Sequence, residues 1–226
     1  MPGMDDSADS GATVDGREER GDRTAEALLA AGRRVFAELG YHGASVRAIA
    51  GAAEVNPALV RYHFGSKEGL YHQVIERAMS SLRQRLLRAL IDDEGGGLRG
   101  RVQAMVRAYL EYLTEYRDVP RLVQRALLDR DPNLRRIAGE HLRPLLEASR
   151  PFIAPEAHDS VDEMVTSMFG ALIAPVLYEP LLTDLFGRDV LSPESIRQRQ
   201  RHIETLVDFA LDRIQSASEA ADDDSP

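Results

Sequence analysis

Apolar residues recur every three or four positions along most of the chain. Between Thr24 and Gly40 they fall on one face of a helix, which Gly40 is expected to end. The same spacing predicts short helices after Ser45 and Asn56, and a fourth helix after Ser66. No segment alternates apolar and polar residues convincingly enough to indicate a β-strand. The pattern therefore predicts an all-α fold.

The second half of the chain continues this periodicity in longer runs. It predicts helices over residues 98–116, 120–129 and 131–148. Two strongly apolar stripes follow, one over residues 161–177 and one over residues 192–214. From periodicity alone, these stripes fit an intramolecular core and an interface with a second copy of the chain equally well.

The two ends of the chain differ from its middle in composition. Residues 1–22 are rich in Gly, Ser and Asp, and residues 217–226 are acidic and polar. Such segments lack the apolar groups that offset the entropy of ordering, so both are predicted to be disordered. Two helical domains remain between them, over residues 23–78 and 79–216.

Residues 45–64 have the pattern of a helix-turn-helix, in which the second helix lies in the major groove of DNA. Pro57 suits the first position of the second helix, because its missing N–H costs nothing there. Val60 and Phe64 are four positions apart and face the core, so the other side chains point elsewhere. These other side chains suit contacts with thymine methyl groups, guanine bases and phosphates. Each of them taken alone could equally have a structural role. The candidate DNA contacts are Pro57, Ala58, Leu59, Arg61, Tyr62 and His63.

Charge is distributed unevenly along the chain. The net charge is −9, which by itself argues against binding to nucleic acid. Residues 23–78, however, contain seven basic and five acidic side chains, and the excess of acid lies elsewhere. A local positive face is sufficient for DNA binding, because salt screens charges beyond about 10 Å.

Composition and motifs exclude several classes of protein. The chain has no cysteine, no secretion signal and no apolar run long enough to span a membrane, so we expect a cytoplasmic protein. We find no metal-binding spacing, no nucleotide-binding fingerprint and no pairing of nucleophile with base. The sequence therefore predicts no metal, no cofactor and no enzymatic activity.

The stretch "SVRAIAGAAEVNPALVRYHFGSKEGLY" at residues 45–71 resembles the TetR (tetracycline repressor) family of bacterial transcriptional regulators. The resemblance extends over residues 24–77. It implies that Ser45 and Lys67, the only lysine of the chain, bind DNA phosphates. The chain departs from the family in two places: Glu54 replaces the turn glycine of many relatives, and Arg61 replaces a tyrosine.

The resemblance also implies a homodimer, formed by the two apolar stripes, that binds an inverted-repeat DNA operator. In such a protein a small-molecule effector in the larger domain releases the DNA, so the chain is expected to be a repressor. Candidate ligand contacts are Met105, Tyr109, Tyr112, Leu113, Met168 and Phe169, although each also suits core packing. Arginines between Arg117 and Arg143 could bind an anion, but nearby acids favour a solvated face of ion pairs.

One competing function is an interaction protein that keeps the helix-turn-helix fold without binding DNA. The acidic balance of the chain and Glu54 in the turn are the features that favour it.

Overall fold

The structure, a computed structural model, describes residues 11–92, 97–150 and 158–223. These residues form helices and the short turns between them, without a strand, as the all-α prediction requires. In chain order the helices are α1 (Gly11–Gly43), α2 (Val46–Ala52), α3 (Ala58–Phe64), α4 (Lys67–Asp92), α5 (Gly97–Glu115), α6 (Val119–Leu128), α7 (Pro132–Ser149), α8 (His158–Leu177), α9 (Glu179–Phe186) and α10 (Pro193–Asp223).

The chain divides into two compact units, Met1–Ile75 and Glu76–Pro226. The boundary between them falls inside α4. The boundary expected from the sequence, after residue 78, lies on the same helix.

The first unit is organised around fully buried side chains from α1 to α4. Leu28, Phe36, Ile49 and Leu70 are completely shielded from solvent. The ring of Phe36 meets that of Tyr71 edge to face, with 4.9 Å between the ring centroids. Four helices thus share one small core, which fixes the two helices of the helix-turn-helix against their neighbours.

Short-range signals set where these helices start and stop. Gly40 interrupts α1 with a φ of 71°, at the predicted stop. The Ser45 side chain accepts a hydrogen bond from the Ala48 N–H at 3.1 Å, which is an N-cap. The side chains of Asn56 and Ser66 also accept hydrogen bonds from backbone N–H groups, at 2.8 and 3.0 Å. All three predicted helix starts are therefore confirmed.

The second unit is a bundle in which α10 packs against α5 and α8, and α6 packs against α7 and α8. Leu122, Ile137, Ile203 and Val207 are among its fully buried side chains. On the surface, Arg99 of α5 contacts the carboxylate of Asp208 on α10 at 2.7 Å. The predicted helices over 98–116, 120–129 and 131–148 correspond to α5, α6 and α7.

Parts of the two terminal segments that were predicted to be disordered lie within the described helices. Helix α1 begins at Gly11 and α10 continues to Asp223. Each of these segments extends a helix that is already nucleated, and adding residues costs far less than starting a helix. Local pairs such as Arg23 with Glu19, 3.7 Å apart, support α1 further. The predicted disorder at residues 1–10 and 224–226 lies outside the described residues.

None of the described helices alone is both long enough and apolar enough to span a membrane. One bent pair, Asp162–Leu177 with Glu179–Phe186, reaches the required length and composition only when its two helices are taken together across a 79° bend.

Candidate nucleic-acid interface

Helix α3 has one buried side chain, three half-buried side chains and three exposed ones. Val60 is 1% exposed and anchors the helix in the core, as predicted. Tyr62, two positions later, is 80% exposed, and Arg61 is exposed beside it. The remaining predicted contacts divide by burial: Pro57 and Ala58 are exposed, and Leu59 and His63 are half-buried. One short helix therefore offers a guanidinium and a phenol to a partner.

The turn before α3 contains a strained residue. Glu54 has a φ of 56°, in the left-handed region that residues with a β-carbon avoid. The Glu54 N–H bonds to the Gly51 carbonyl at 3.1 Å, and the Val55 N–H bonds to the Ala50 carbonyl at 3.0 Å. This pair of bonds is a Schellman motif, which normally has glycine at the left-handed position. Glu54, which replaces that glycine, therefore holds a strained backbone conformation.

Ser45 lies at the exposed start of α2. Its oxygen accepts the Ala48 N–H, so its own O–H is still available to donate to a phosphate. Arg47, in the first turn of the same helix, is exposed as well. Arg47 is not among the residues predicted from the sequence to bind DNA, although a basic residue beside an N-cap serine is a usable signal.

Lys67 has a structural role that the sequence did not reveal. Its ammonium donates to the backbone carbonyls of Tyr41, at 2.8 Å, and Ala44, at 2.9 Å. It also lies over the Tyr41 ring, 4.4 Å from the centroid. Two of its three N–H donors are thus used within the unit, where they hold the α1–α2 corner to the start of α4. Phosphate binding by Lys67 stays a prediction, with one N–H left for it.

Gly69 permits a close approach in the first turn of α4. A β-carbon at this position would lie 2.1 Å from the Phe64 carbonyl oxygen, which is far inside van der Waals contact. Glycine is therefore required for the end of α3 to pack against α4 in this way.

In the second unit, the six predicted ligand contacts lie on α5 and α8, where the described residues give them different surroundings. Tyr112 is a core residue, because its buried hydroxyl donates to the Ala78 carbonyl at 2.8 Å. Tyr109 and Phe169 do come together, with 6.5 Å between their ring centroids. Burial raises the pKa of Tyr109, and Phe169 is 47% exposed. Met105 and Met168 are half-buried on the same two helices.

A narrow cleft lies at one end of this bundle, between α5, α8 and the start of α10. Of the predicted ligand contacts, Leu113 is the one that lines it. The other apolar walls are formed by Leu110, Leu172, Pro175, Val176, Val190, Leu191 and Ile196. Two arginines, Arg117 and Arg199, also line the cleft. Arg117 was predicted to lie on a solvated face and Arg199 was not predicted to line a site, because only the fold brings the two arginines together.

The helical fold and the exposed residues of α3 define a helix-turn-helix protein. Residues 28–74 match the family described as bacterial regulatory proteins, tetR family. These residues therefore form a DNA-binding domain of the TetR type, as the resemblance of residues 24–77 implies.

Known proteins agree with this assignment. Over 142 residues, 59% of this chain, the sequence is 31% identical to the HTH-type transcriptional repressor NicS of Pseudomonas putida. Over 75 residues, 31% of this chain, it is 33% identical to the HTH-type transcriptional regulator UidR of Escherichia coli. These alignments span 66% and 38% of the two relatives, less than two thirds of either.

Solved structures share the fold. A TetR-like transcriptional regulator from Rhodococcus sp. RHA1 superposes with a TM-score of 0.61 at 20% identity. The superposition covers 83% of this chain and 95% of that structure. The likeness therefore extends beyond the helix-turn-helix into the second unit.

Proposed function

We propose that this chain is a transcriptional repressor, not an enzyme, that binds an operator in the cytoplasm through α3. The observation that carries the proposal is the exposed face of α3, where Arg61 and Tyr62 project from a helix anchored by Val60. A guanidinium there can bond to guanine O6 and N7 in the major groove. Repression in particular is supported by the name of the relative NicS.

We propose a homodimer that recognises an inverted repeat. Apolar side chains on α8 and α10 support it: Val165 is 41% exposed, Phe169 47% and Phe209 66%. These two helices pack against each other within the unit, so their outer faces can form one apolar surface. A second copy would cover this surface by two-fold symmetry. The centres of the two half-sites are then expected about 34–36 Å apart.

Release of the DNA by a small molecule is the third part of the proposal. Tyr109 and Leu113 of α5 remain candidate contacts, since the first meets Phe169 and the second lines the cleft. For a hundredfold loss of operator affinity, the effector must bind the released form about 2.7 kcal/mol more tightly than the DNA-bound form. Tight binding alone is not sufficient.

The test is selection of bound sites from a random DNA pool, followed by titration of the selected site. We expect an inverted repeat in which Arg61→Ala relaxes base preference at one position per half-site and costs about 1–3 kcal/mol. Arg61→Lys is the matched control: it keeps the charge and therefore the salt dependence, but it loses the planar fork and the base preference.

Two outcomes would contradict the proposal. If the folded protein binds no DNA at low salt, the chain is the interaction protein that the sequence left open. If Arg61→Ala lowers thermal stability but leaves the selected sequence unchanged, α3 is not the reading helix.

A further inference from the structure

The cleft between α5, α8 and α10 combines apolar walls with positive charge. Arg117 and Arg199 line it, and none of the described residues that line it is acidic. Arg117 donates to the Leu191 carbonyl at 3.4 Å, a neutral partner. Within the described part of the chain, neither arginine forms an ion pair with a carboxylate.

Arg199 is the more unusual of the two. It is half-buried, and Arg188 is its charged neighbour. Burial lowers the pKa of Arg199, and the positive charge of Arg188 lowers it further. Arg188 in turn donates to the uncharged side chains of Ser195, at 3.0 Å, and Gln198, at 3.3 Å. A half-buried cation that has a like charge beside it is costly unless an anion compensates it.

From this arrangement we infer that the cleft binds a small carboxylate with an apolar body. The carboxylate would pair with Arg199 and Arg117, because a planar guanidinium can hold its two oxygens at once. The apolar body would lie against Leu113, Leu172 and Val176. The inference rests on the proposed function and names the chemical class of the effector.

The cleft is too small to admit the proposed ligand without a structural change. Its interior is about 20 Å³, room for about one water molecule. An apolar group can therefore enter only if the residues that line the cleft rearrange. Binding would thus favour a second packing of α5, α8 and α10, and two of these helices form the proposed dimer surface.

The test measures binding of named probes to the full chain by calorimetry, without DNA. The probes are hexanoate and benzoate, each compared with its neutral amide of the same size and shape. We expect at least one carboxylate to bind about tenfold or more tightly than its amide, because hydrogen bonds to charged groups are the stronger ones.

Variants locate the site. Arg199→Gln and Arg117→Gln should each weaken carboxylate binding about tenfold and leave amide binding unchanged. Arg199→Lys keeps the charge without the planar fork and should fall between wild type and Arg199→Gln. Arg197→Gln, on the exposed side of α10, is the matched control and should bind like wild type. In the absence of ligand, Arg199→Gln should melt at or above the wild-type temperature, since it removes an uncompensated charge.

Equal binding of acid and amide would overturn the inference, and so would unchanged carboxylate binding by Arg199→Gln. Absence of carboxylate binding up to about 10 mM would overturn it as well. Because no DNA is present, these failures are distinct from failure of operator binding, which the titration of the selected site measures separately.

Discussion

Replacement of Glu54 by glycine is expected to stabilise the protein. Glu54 occupies the left-handed position of the turn between α2 and α3, with a φ of 56°. This conformation costs a residue with a β-carbon about 1–2 kcal/mol. Glycine avoids that cost but loses about 0.5–1 kcal/mol more chain entropy on folding. The net gain is therefore about 0.5–1 kcal/mol, or about 1–4 °C in the melting temperature of a chain of this length.

The assay is thermal unfolding followed by circular dichroism, with two matched variants. Glu54→Gln removes the charge but keeps the β-carbon, so it should melt like wild type. Arg130 has a φ of 53° in a turn of the same type, where the Asp131 N–H bonds to the Ala126 carbonyl at 3.0 Å. Arg130→Gly should therefore give a similar gain.

Measurements of DNA affinity distinguish the effect of the Glu54 charge from the effect of backbone strain at Glu54. Removal of one negative charge about 10 Å from a phosphate is worth about 0.4 kcal/mol, or about twofold in affinity. Glu54→Gly and Glu54→Gln should both show this increase at low salt, and Arg130→Gly should not. If Glu54→Gly melted at or below wild type while Glu54→Gln melted higher, the strain argument would be refuted.

Three further substitutions test other contacts. Gly69→Ala should lose about 1–3 kcal/mol of stability in a urea titration, because its methyl group would overlap the Phe64 carbonyl. Gly139→Ala, whose methyl group would meet nothing within 4 Å, is the control and should gain slightly. Lys67→Gln should lose about 1.5–3 kcal/mol because two carbonyls lose a charged donor, and an unchanged salt slope of DNA binding would exclude its predicted phosphate contact. Phe209→Glu should yield monomers in light scattering, and an intact dimer would place the interface elsewhere.

The sequence by itself determined the helices and the helix-turn-helix, because the signals involved act over a few residues. Ser45, Asn56 and Ser66 cap backbone groups two or three positions away, and Val60 faces the core because of its spacing. At the two ends, composition predicted disorder, and the described parts of these segments extend α1 and α10. Extension of an existing helix depends on the neighbouring turn more than on the composition of the added segment.

Only the tertiary structure decided which distant groups meet. Lys67 donates hydrogen bonds to backbone carbonyls 26 and 23 residues earlier in the chain. No local pattern could therefore distinguish this structural role from a phosphate contact. Tyr112 matched a ligand-binding residue by type, but its hydroxyl is held in the core by the Ala78 carbonyl. Arg117 and Arg199 share a cleft because α5 packs against α10. Such pairings follow from how helices pack, and packing depends on shape and burial in three dimensions, which periodicity along the chain does not encode.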